Sequence, residues 1–559
     1  MRVDLRQSSP EQSGERGGVS PPVSSPPDRG ADAAPLACLS WHRLAKWLLI
    51  AGLMAFLFSR TASCFVDLDL WHELALAREV MQSGHVPWQD HFAYTPKLDI
   101  VVHHEWGVGM IAYWLMQSSG SSGILLAKFA LVFGLASVCW RVARNRGASV
   151  LAVGIVCGLA VVLGDYSFAT IRAQMYSYLL TGLLLWGFDR DRAGDRRWLI
   201  GLLLLFPLWV NLHGGCLVGA GLLGAYWLEQ LIRRQPHWHL LAVGMSLIPL
   251  ALLNPWGWHY HEYLVRAITM KRPSIAEWAP LWAEGELHHL MAFGVSVLLA
   301  WLILREGRWR KFPGILLLIA TGLAGVKSNR FLAFYAIVYA CYLPGMLSRI
   351  ELGKDLRRWW WKYQKGFAAV SAIATVLLFA KGFASEPWRL RVPSRPTAGA
   401  GEHAIYPVGA VNYLAEHHFQ GNVFVPYDWG SYLMWKLGPE VQISFDSRYE
   451  VAYPAWRLEE DQAFYEARNK FLMGFPKTVG DQSEFSVFVD HRNGWQVVLS
   501  KYPTDIVLAP NRLQVVAAMN SADGWRRVYR DSQFTMFARD GVDLPTFESD
   551  ADPPDGVFP

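Results

Sequence analysis

"WLLIAGLMAFLFSRTASCFVDLDLWHELALAREVMQSGHVP", residues 47–87, decides how the rest of the chain is read. It opens with an apolar run long enough to cross a bilayer as a helix, which takes ~20 residues. Asp67 and Asp69 stand at the mouth of that run, and His72 and Glu73 lie one helical turn further on. Leu70, Leu74, Ala77 and Met81 recur at helical spacing as an apolar stripe. Asp69, His72 and Glu73, at i, i+3 and i+4, share another face. Gly84 and Pro87 close the helix. The pattern predicts an amphipathic helix lying on the membrane surface, its stripe against lipid or neighbouring spans. Asp67 or Asp69 would sit at its amino end, where the helix dipole favours negative charge.

Similar apolar runs continue along the 559-residue chain. They centre near 47–65, 106–118, 123–140, 148–164, 173–188, 198–212, 216–232, 240–253, 288–304, 313–326, 331–347 and 366–383. This predicts a polytopic α-helical membrane protein followed by a soluble domain. The net charge of +5 comes from basic residues that flank apolar runs and form no continuous basic surface, so nucleic acid is not an expected partner. Residues 1–40 are rich in Pro, Ser and Gly and read as a disordered cytoplasmic tail. The first apolar run starts too far in for a cleaved signal peptide and reads as a retained anchor. No cysteine lies beyond Cys341, so the C-terminal domain has neither a disulfide nor a thiolate metal site.

Two kinds of connection separate the runs. One is basic: 141–147, 189–197, 233–239, 305–311 and 349–365. The other carries mixed polar residues: 165–174, 211–215, 254–288 and 326–330. Placing the basic loops inside gives a consistent alternation if Trp106–Ser118, too short for a straight span, is a re-entrant or interfacial helix. The expectation is then about 11 crossings in the cell inner (plasma) membrane, with a cytoplasmic amino terminus and an extracytoplasmic C-terminal domain. On this reading residues 41–383 form the multi-span domain, with residues 66–105 as an external loop. Asp67, Asp69, His72, Glu73, His103, His104, Glu105, Arg172, His213, Glu277, Lys327 and Arg330 then converge on the outer face. The inner loops are polar too, but mainly through Arg and Lys, and the difference in residue type points to a polar site outside.

"DLWHELALAREVMQSGHVP" (69–87) resembles the first external loop of the GT-C superfamily of membrane glycosyltransferases, which includes the protein O-mannosyltransferases and the bacterial lipid A aminoarabinose transferases. "DHFAYTPKLDIVVHHEWGVGMIAYWL" (90–115) is similar to the stretch that follows it. "RAQMYSYLLTGLLLW" (172–186) and "SNRFLAFYAIVYACYLP" (328–344) resemble segments of bacterial members. Aligned on Ala77-Arg78-Glu79, the family's acidic position falls on Asp69. The common Asp-Glu pair is absent: Leu70 holds the second place and Asp67 lies two residues earlier.

The resemblance implies a polyprenyl-phosphate-linked sugar as donor and a glycan, lipid or protein acceptor entering from the outer face, with inversion at the anomeric carbon. It makes Asp69 the first candidate for general base and Asp67 the second. Arg172, Lys327 and Arg330 are candidates for the phosphate, and His103, His104 and Glu105 for further substrate contacts. A divalent metal ion held by Asp69, His72 and Glu73 is an alternative device, since carboxylates and imidazole suit such ions. Two rival readings keep the same architecture: a non-catalytic lipid-carrier-binding or polysaccharide-assembly protein, and a transporter or flippase. Against the latter, no internal repeat and no mid-span acidic relay is evident.

Beyond a Pro/Arg linker at 384–401, residues 402–545 alternate predicted helices and strands. This predicts a small α/β domain with a mainly parallel sheet, including a helix over 454–473. Asp428, Trp429, Asp446 and Arg448 fall after strand ends, where such sheets place ligands. Residues 546–559 read as a disordered tail.

Overall fold

The computed structural model describes residues 33–270, 275–283, 285–307, 312–396, 405–476, 484–490 and 493–559. Residues 1–32 of the expected tail, 308–311 of a basic loop and 397–401 of the linker lie outside these. The first membrane segments are α1 (Ala33–Thr61), α2 (Leu68–Ser83), α3 (Trp106–Asn145), α4 (Val150–Ala169) and α5 (Gln174–Arg192). They are followed by α6 (Trp198–Leu212), α7 (Cys216–Ile232), α8 (Trp238–Leu250) and α9 (Trp258–Thr269). The series ends with α10 (Leu287–Glu306), α11 (Ile315–Lys327), α12 (Leu332–Leu347), α13 (Glu351–Lys362) and α14 (Gln364–Ala384). Among the described residues, 6 helices are long and apolar enough to cross a membrane, and shorter apolar helices accompany them.

α12 is the axis of this bundle. Every residue from Leu332 to Leu347 is buried, as expected of a helix that is apolar all round. α14 is its opposite: Val370, Ile373, Val376 and Leu377 are exposed, a surface suited to lipid. Residues 33–40, assigned to the disordered tail, are instead the first turns of α1.

The short run at 106–118 is joined to the next by a sharp kink rather than a loop. Gly120 adopts φ 61 and ψ −151 inside α3, a conformation only glycine takes without strain. Beyond the kink, the Lys128 ammonium donates to the Ser63 carbonyl at 2.6 Å, next to the end of α1. Before the kink the same helix packs on α2, with Gly109 against the Glu73 backbone.

The C-terminal domain comprises α15 (Val408–Glu416), β1 (Gly421–Phe424), α16 (Gly430–Leu437), β2 (Val441–Ile443), α17 (Tyr449–Ala452) and α18 (Trp456–Tyr465). Then come β3 (Lys470–Pro476), β4 (Glu484–Asp490), α19 (Gln496–Lys501), β5 (Ile506–Pro510), α20 (Gln514–Met519), β6 (Trp525–Arg530), β7 (Phe534–Arg539) and β8 (Phe547–Glu548). The main sheet runs β2-β1-β5-β7-β6-β8. It is mainly parallel, as expected: β1 lies parallel to β2 and β5 and β8 parallel to β6, while β7 alone among these strands runs antiparallel to its neighbours β5 and β6. The helix expected over 454–473 stops at Tyr465, because Ala467 takes a left-handed φ of 51. The chain then enters β3, which forms a separate hairpin with β4.

The tail expected to be disordered is docked. β8 pairs with β6, Gly556 N–H donates to Val392 O at 2.8 Å, and the buried Phe558 ring lies 5.4 Å from Trp71. Burial of an aromatic ring and backbone pairing outweigh the polar composition that suggested disorder.

Candidate active site

α2 begins where the sequence predicts. Asp67 is its N-cap and accepts from the Asp69 N–H at 3.1 Å, and Gly84 ends it at φ 77. Its surroundings differ from a surface helix. Leu70, Trp71, Glu73, Leu74, Ala75, Leu76 and Ala77 are all buried, while Met81, placed in the apolar stripe, is 61% exposed. The helix is clamped between α3 on one side and α16 on the other. The C-terminal domain covers the face that sequence alone leaves to water. Two further ties fix the junction. Val66 N–H donates to Arg391 O at 3.0 Å, and the Tyr406 hydroxyl donates to Val66 O at 2.9 Å. The segment between α2 and α3 also adds to the edge of the sheet, where Ile443 N–H donates to Phe92 O at 3.0 Å.

Between the two layers lies a cavity of about 410 Å³. Asp69, His72 and Glu73 enter it from α2, and His103, His104 and Glu105 from the start of α3. Arg172, Glu277 and Arg330 line it from the membrane loops, and Asp428, Arg448 and Asp461 from the C-terminal domain. The two aspartates separate here. Asp69 faces the cavity with 27% of its side chain exposed. Asp67 lies behind it at 10% exposure, paired with Arg172 Nε at 2.6 Å.

The charges form linked sets. Arg172 bridges Asp67 and Glu277, and Arg330 reaches Glu277 more loosely at 3.4 Å while stacking over Trp278 at 5.1 Å. Glu105 lies 3.3 Å from His104 and 3.4 Å from His213. His213 Nδ1 accepts from Gly215 N–H at 2.8 Å, which leaves Nε2 to carry the proton toward Glu105. Arg448 is buried and bonds Asp90 at 2.5 Å and Asp446 at 2.7 Å, joining the segment between α2 and α3 to the C-terminal domain. His72 Nδ1 meets the Ser447 hydroxyl at 3.0 Å.

Burial and neighbouring charge set the protonation states. Burial raises Asp69, with Arg172 opposing it. Burial, and then the negative charges of Glu105, Asp69 and Asp67, push Glu73 well above the carboxylate range. A buried oxygen of Glu73 has no hydrogen-bond partner, so the neutral acid is the form that fits. Burial would raise Glu105 too, but His104 and then His213 hold it well below the usual value. Burial pushes His72 down to about 4, and Asp461 up to about 8. The cavity thus mixes ionised and neutral acids.

Of the residues predicted from sequence, Asp69, His72, Glu73, His103, His104, Glu105, Arg172 and Arg330 share this cavity. Lys327 does not: it ends α11 on an exposed surface outside the lining. The proposed metal set does not converge. Among the described residues, the group with ligand atoms within 4.8 Å of one another is Asp165, His288 and His289. Asp165 already takes the Arg60 guanidinium, and His289 lies 3.1 Å from Asp165 and 2.6 Å from Glu286. Asp461 is the residue that sequence reading passed over. It is buried, and its Oδ1 has no hydrogen-bond partner.

No family model and no curated protein matches the chain. Solved structures do. The oligosaccharyltransferase of Archaeoglobus fulgidus in its apo form aligns at 11% identity and a TM-score of 0.53, over 89% of this chain and 75% of that one. The same organism's AglB, in complex with an inhibitory peptide and a dolichol-phosphate, aligns at 13% identity and 0.53, over 83% and 69%. ArnT from Cupriavidus metallidurans, bound to undecaprenyl phosphate, aligns at 13% and 0.51, over 91% and 98%. At these identities the likeness is one of fold: the chain has the architecture of GT-C enzymes.

Proposed function

We propose that this chain is a membrane glycosyltransferase that moves a sugar from a polyprenyl-phosphate carrier to an acceptor on the outer face, with inversion. The observation that carries the proposal is the placement of Asp69, facing a cavity that Arg172 and Arg330 also line. The fold supports it, since it is shared with proteins solved with dolichol-phosphate and undecaprenyl phosphate.

In the proposed reaction the acceptor nucleophile attacks the anomeric carbon, and its proton passes to the Asp69 carboxylate. The bond from that carbon to the phosphate oxygen breaks, and the electron pair leaves with the polyprenyl phosphate. Arg172 and Arg330 offset the charge on the departing phosphate; guanidinium groups suit this because their N–H donors match phosphate oxygens in pairs. A carboxylate raised by burial is a stronger base than a solvated one. Glu73, held neutral beside it, adds no repulsion to an anionic donor. His103, His104 and Glu105 would orient the sugar or acceptor. The Asp165 group supplies donors for a metal, but Asp165 is committed to Arg60.

Replacing Asp69 by Asn tests the assignment. Transfer should fall by about 10²–10⁴, the usual worth of a positioned general base, while the purified protein still binds carrier lipid. Unchanged transfer would remove Asp69 from the reaction. Lipid binding with no transfer by the wild type, across candidate acceptors, would favour the non-catalytic carrier-binding reading.

A further inference from the structure

α3, α4, α5 and α12 each have one end at the candidate active site. Their other ends meet on the opposite face of the bundle, where Ser149 N–H at the start of α4 donates to the Ser348 hydroxyl after α12 at 2.8 Å. The 20 residues of α4 separate the two faces by about 30 Å at 1.5 Å per residue. A second cavity of about 640 Å³ opens on that far face. Arg141, Arg146, Arg190, Arg192 and Arg349 line it, against two aspartates, Asp189 and Asp195. We propose that it is a binding site for a phosphate-bearing anion.

Positive charge on a cytoplasmic face is ordinary in membrane proteins, but that tendency asks only for charge near the interface. Here the guanidinium groups are organised by two rings. Arg146 and Arg192 lie over Tyr342 at 4.5 and 5.3 Å, and Arg141 and Arg190 over Trp186 at 5.8 and 5.6 Å. Asp189 pairs with Arg146 at 2.9 Å, and Asp195 with Arg190. Both aspartates are therefore committed, and the arginines remain in excess.

Arg192 closes the inner wall of the cavity. One nitrogen donates to the Tyr342 hydroxyl at 3.1 Å, while its buried Nε and Nη2 have no hydrogen-bond partner. The nearest carboxylate, Glu229, stands 3.7 Å away. Its oxygens accept instead from Gly314 N–H at 2.7 and 2.9 Å, and lie 3.2 Å from Arg233. Arg192 is thus held by Tyr342 and Glu229, and Arg146 and Arg190 by the two aspartates; Arg141 and Arg349 carry the excess charge of the cavity and would meet phosphate oxygens through the paired donors that arginine presents. The cavity volume fits a phosphorylated headgroup. The same chemistry comes either from an anionic phospholipid of that leaflet or from a soluble phosphate.

The test uses the purified full-length protein and two probes: dioctanoyl phosphatidylglycerol followed by native mass spectrometry, and inorganic phosphate followed by calorimetry. Two double variants are compared with wild type. R141Q/R349Q removes two exposed arginines of the cavity; R357Q/R358Q removes two exposed arginines of α13, outside it. One probe should bind about tenfold more weakly to the cavity variant, the order expected for losing charge-assisted contacts, and unchanged to the α13 variant. Lipid as the affected probe identifies a headgroup site, and phosphate a site for a soluble anion. Binding of neither probe, or equal weakening in both variants, overturns the proposal. None of these readouts depends on glycosyl transfer.

Discussion

Asp67 and Asp69 stand two residues apart, yet their surroundings assign them different work. Asp67 caps α2 and grips Arg172; Asp69 faces the cavity. Asn caps helices as well as Asp does, so Asp67→Asn should leave α2 formed and loosen Arg172. Steady-state kinetics should then show a higher KM with a modest change in kcat, unlike the collapse of kcat expected for Asp69→Asn. Asp461 gives a second prediction, from its carboxyl raised to about 8 by burial. Unfolded, an aspartate titrates near ~3.9. Between these values the folded state holds a proton that the unfolded state has lost, so this group's contribution to stability falls as pH rises across that window. Asp461→Asn should therefore raise the melting temperature at pH near 7.5 and leave it nearly unchanged near pH 4; an equal effect at both would contradict the assignment. The acidic face of α2 was legible because helical spacing alone groups Asp69, His72 and Glu73. Asp461 was not, because it sits in the acidic run Glu459-Glu460-Asp461, where only tertiary burial distinguishes one carboxyl from the next.

Elements were legible where a period exceeded a few turns. The apolar runs predict the long helices closely, and the turn residues around α2 locate its ends. What sequence could not supply was the second partner of α2, because the helix contacts α16 across more than three hundred residues of chain. The same limit hid the β3–β4 hairpin. Phe471 and Met473 alternate with the exposed Leu472, but the preceding helical pattern runs straight into them. The α2–α3 contact sets the geometry of the candidate site and can be tested directly. A Cβ on Gly109 would sit 2.6 Å from the Glu73 carbonyl oxygen, closer than real contacts allow. Gly109→Ala should push the start of α3 off α2, lowering the melting temperature and transfer together. Substituting Gly221, which meets nothing within 4 Å, should change neither. Loss of transfer without loss of stability would mean that the contact acts by another route.

At the scale of the whole molecule, the candidate site belongs to neither layer alone. The membrane helices contribute Asp69, Arg172 and Arg330, the C-terminal domain contributes Asp428, Arg448 and Asp461, and Arg448 joins the two through Asp90 and Asp446. The division into membrane and α/β domains was readable from composition, and the resemblance of the first external loop pointed to the right architecture. The docking of the C-terminal tail was not readable, since the burial of Phe558 beside Trp71 depends on a surface formed only after both layers fold. The proposed reaction requires this shared cavity to hold a lipid-linked phosphate within reach of Asp69, Arg172 and Arg330. Titrating the purified protein with undecaprenyl phosphate and counting bound lipid by native mass spectrometry tests it most directly. The account predicts comparable binding to wild type and Asp69→Asn, and binding at least about tenfold weaker in Arg330→Gln, a loss of ~1.4 kcal/mol. Absence of binding, or binding indifferent to Arg330→Gln, would contradict it.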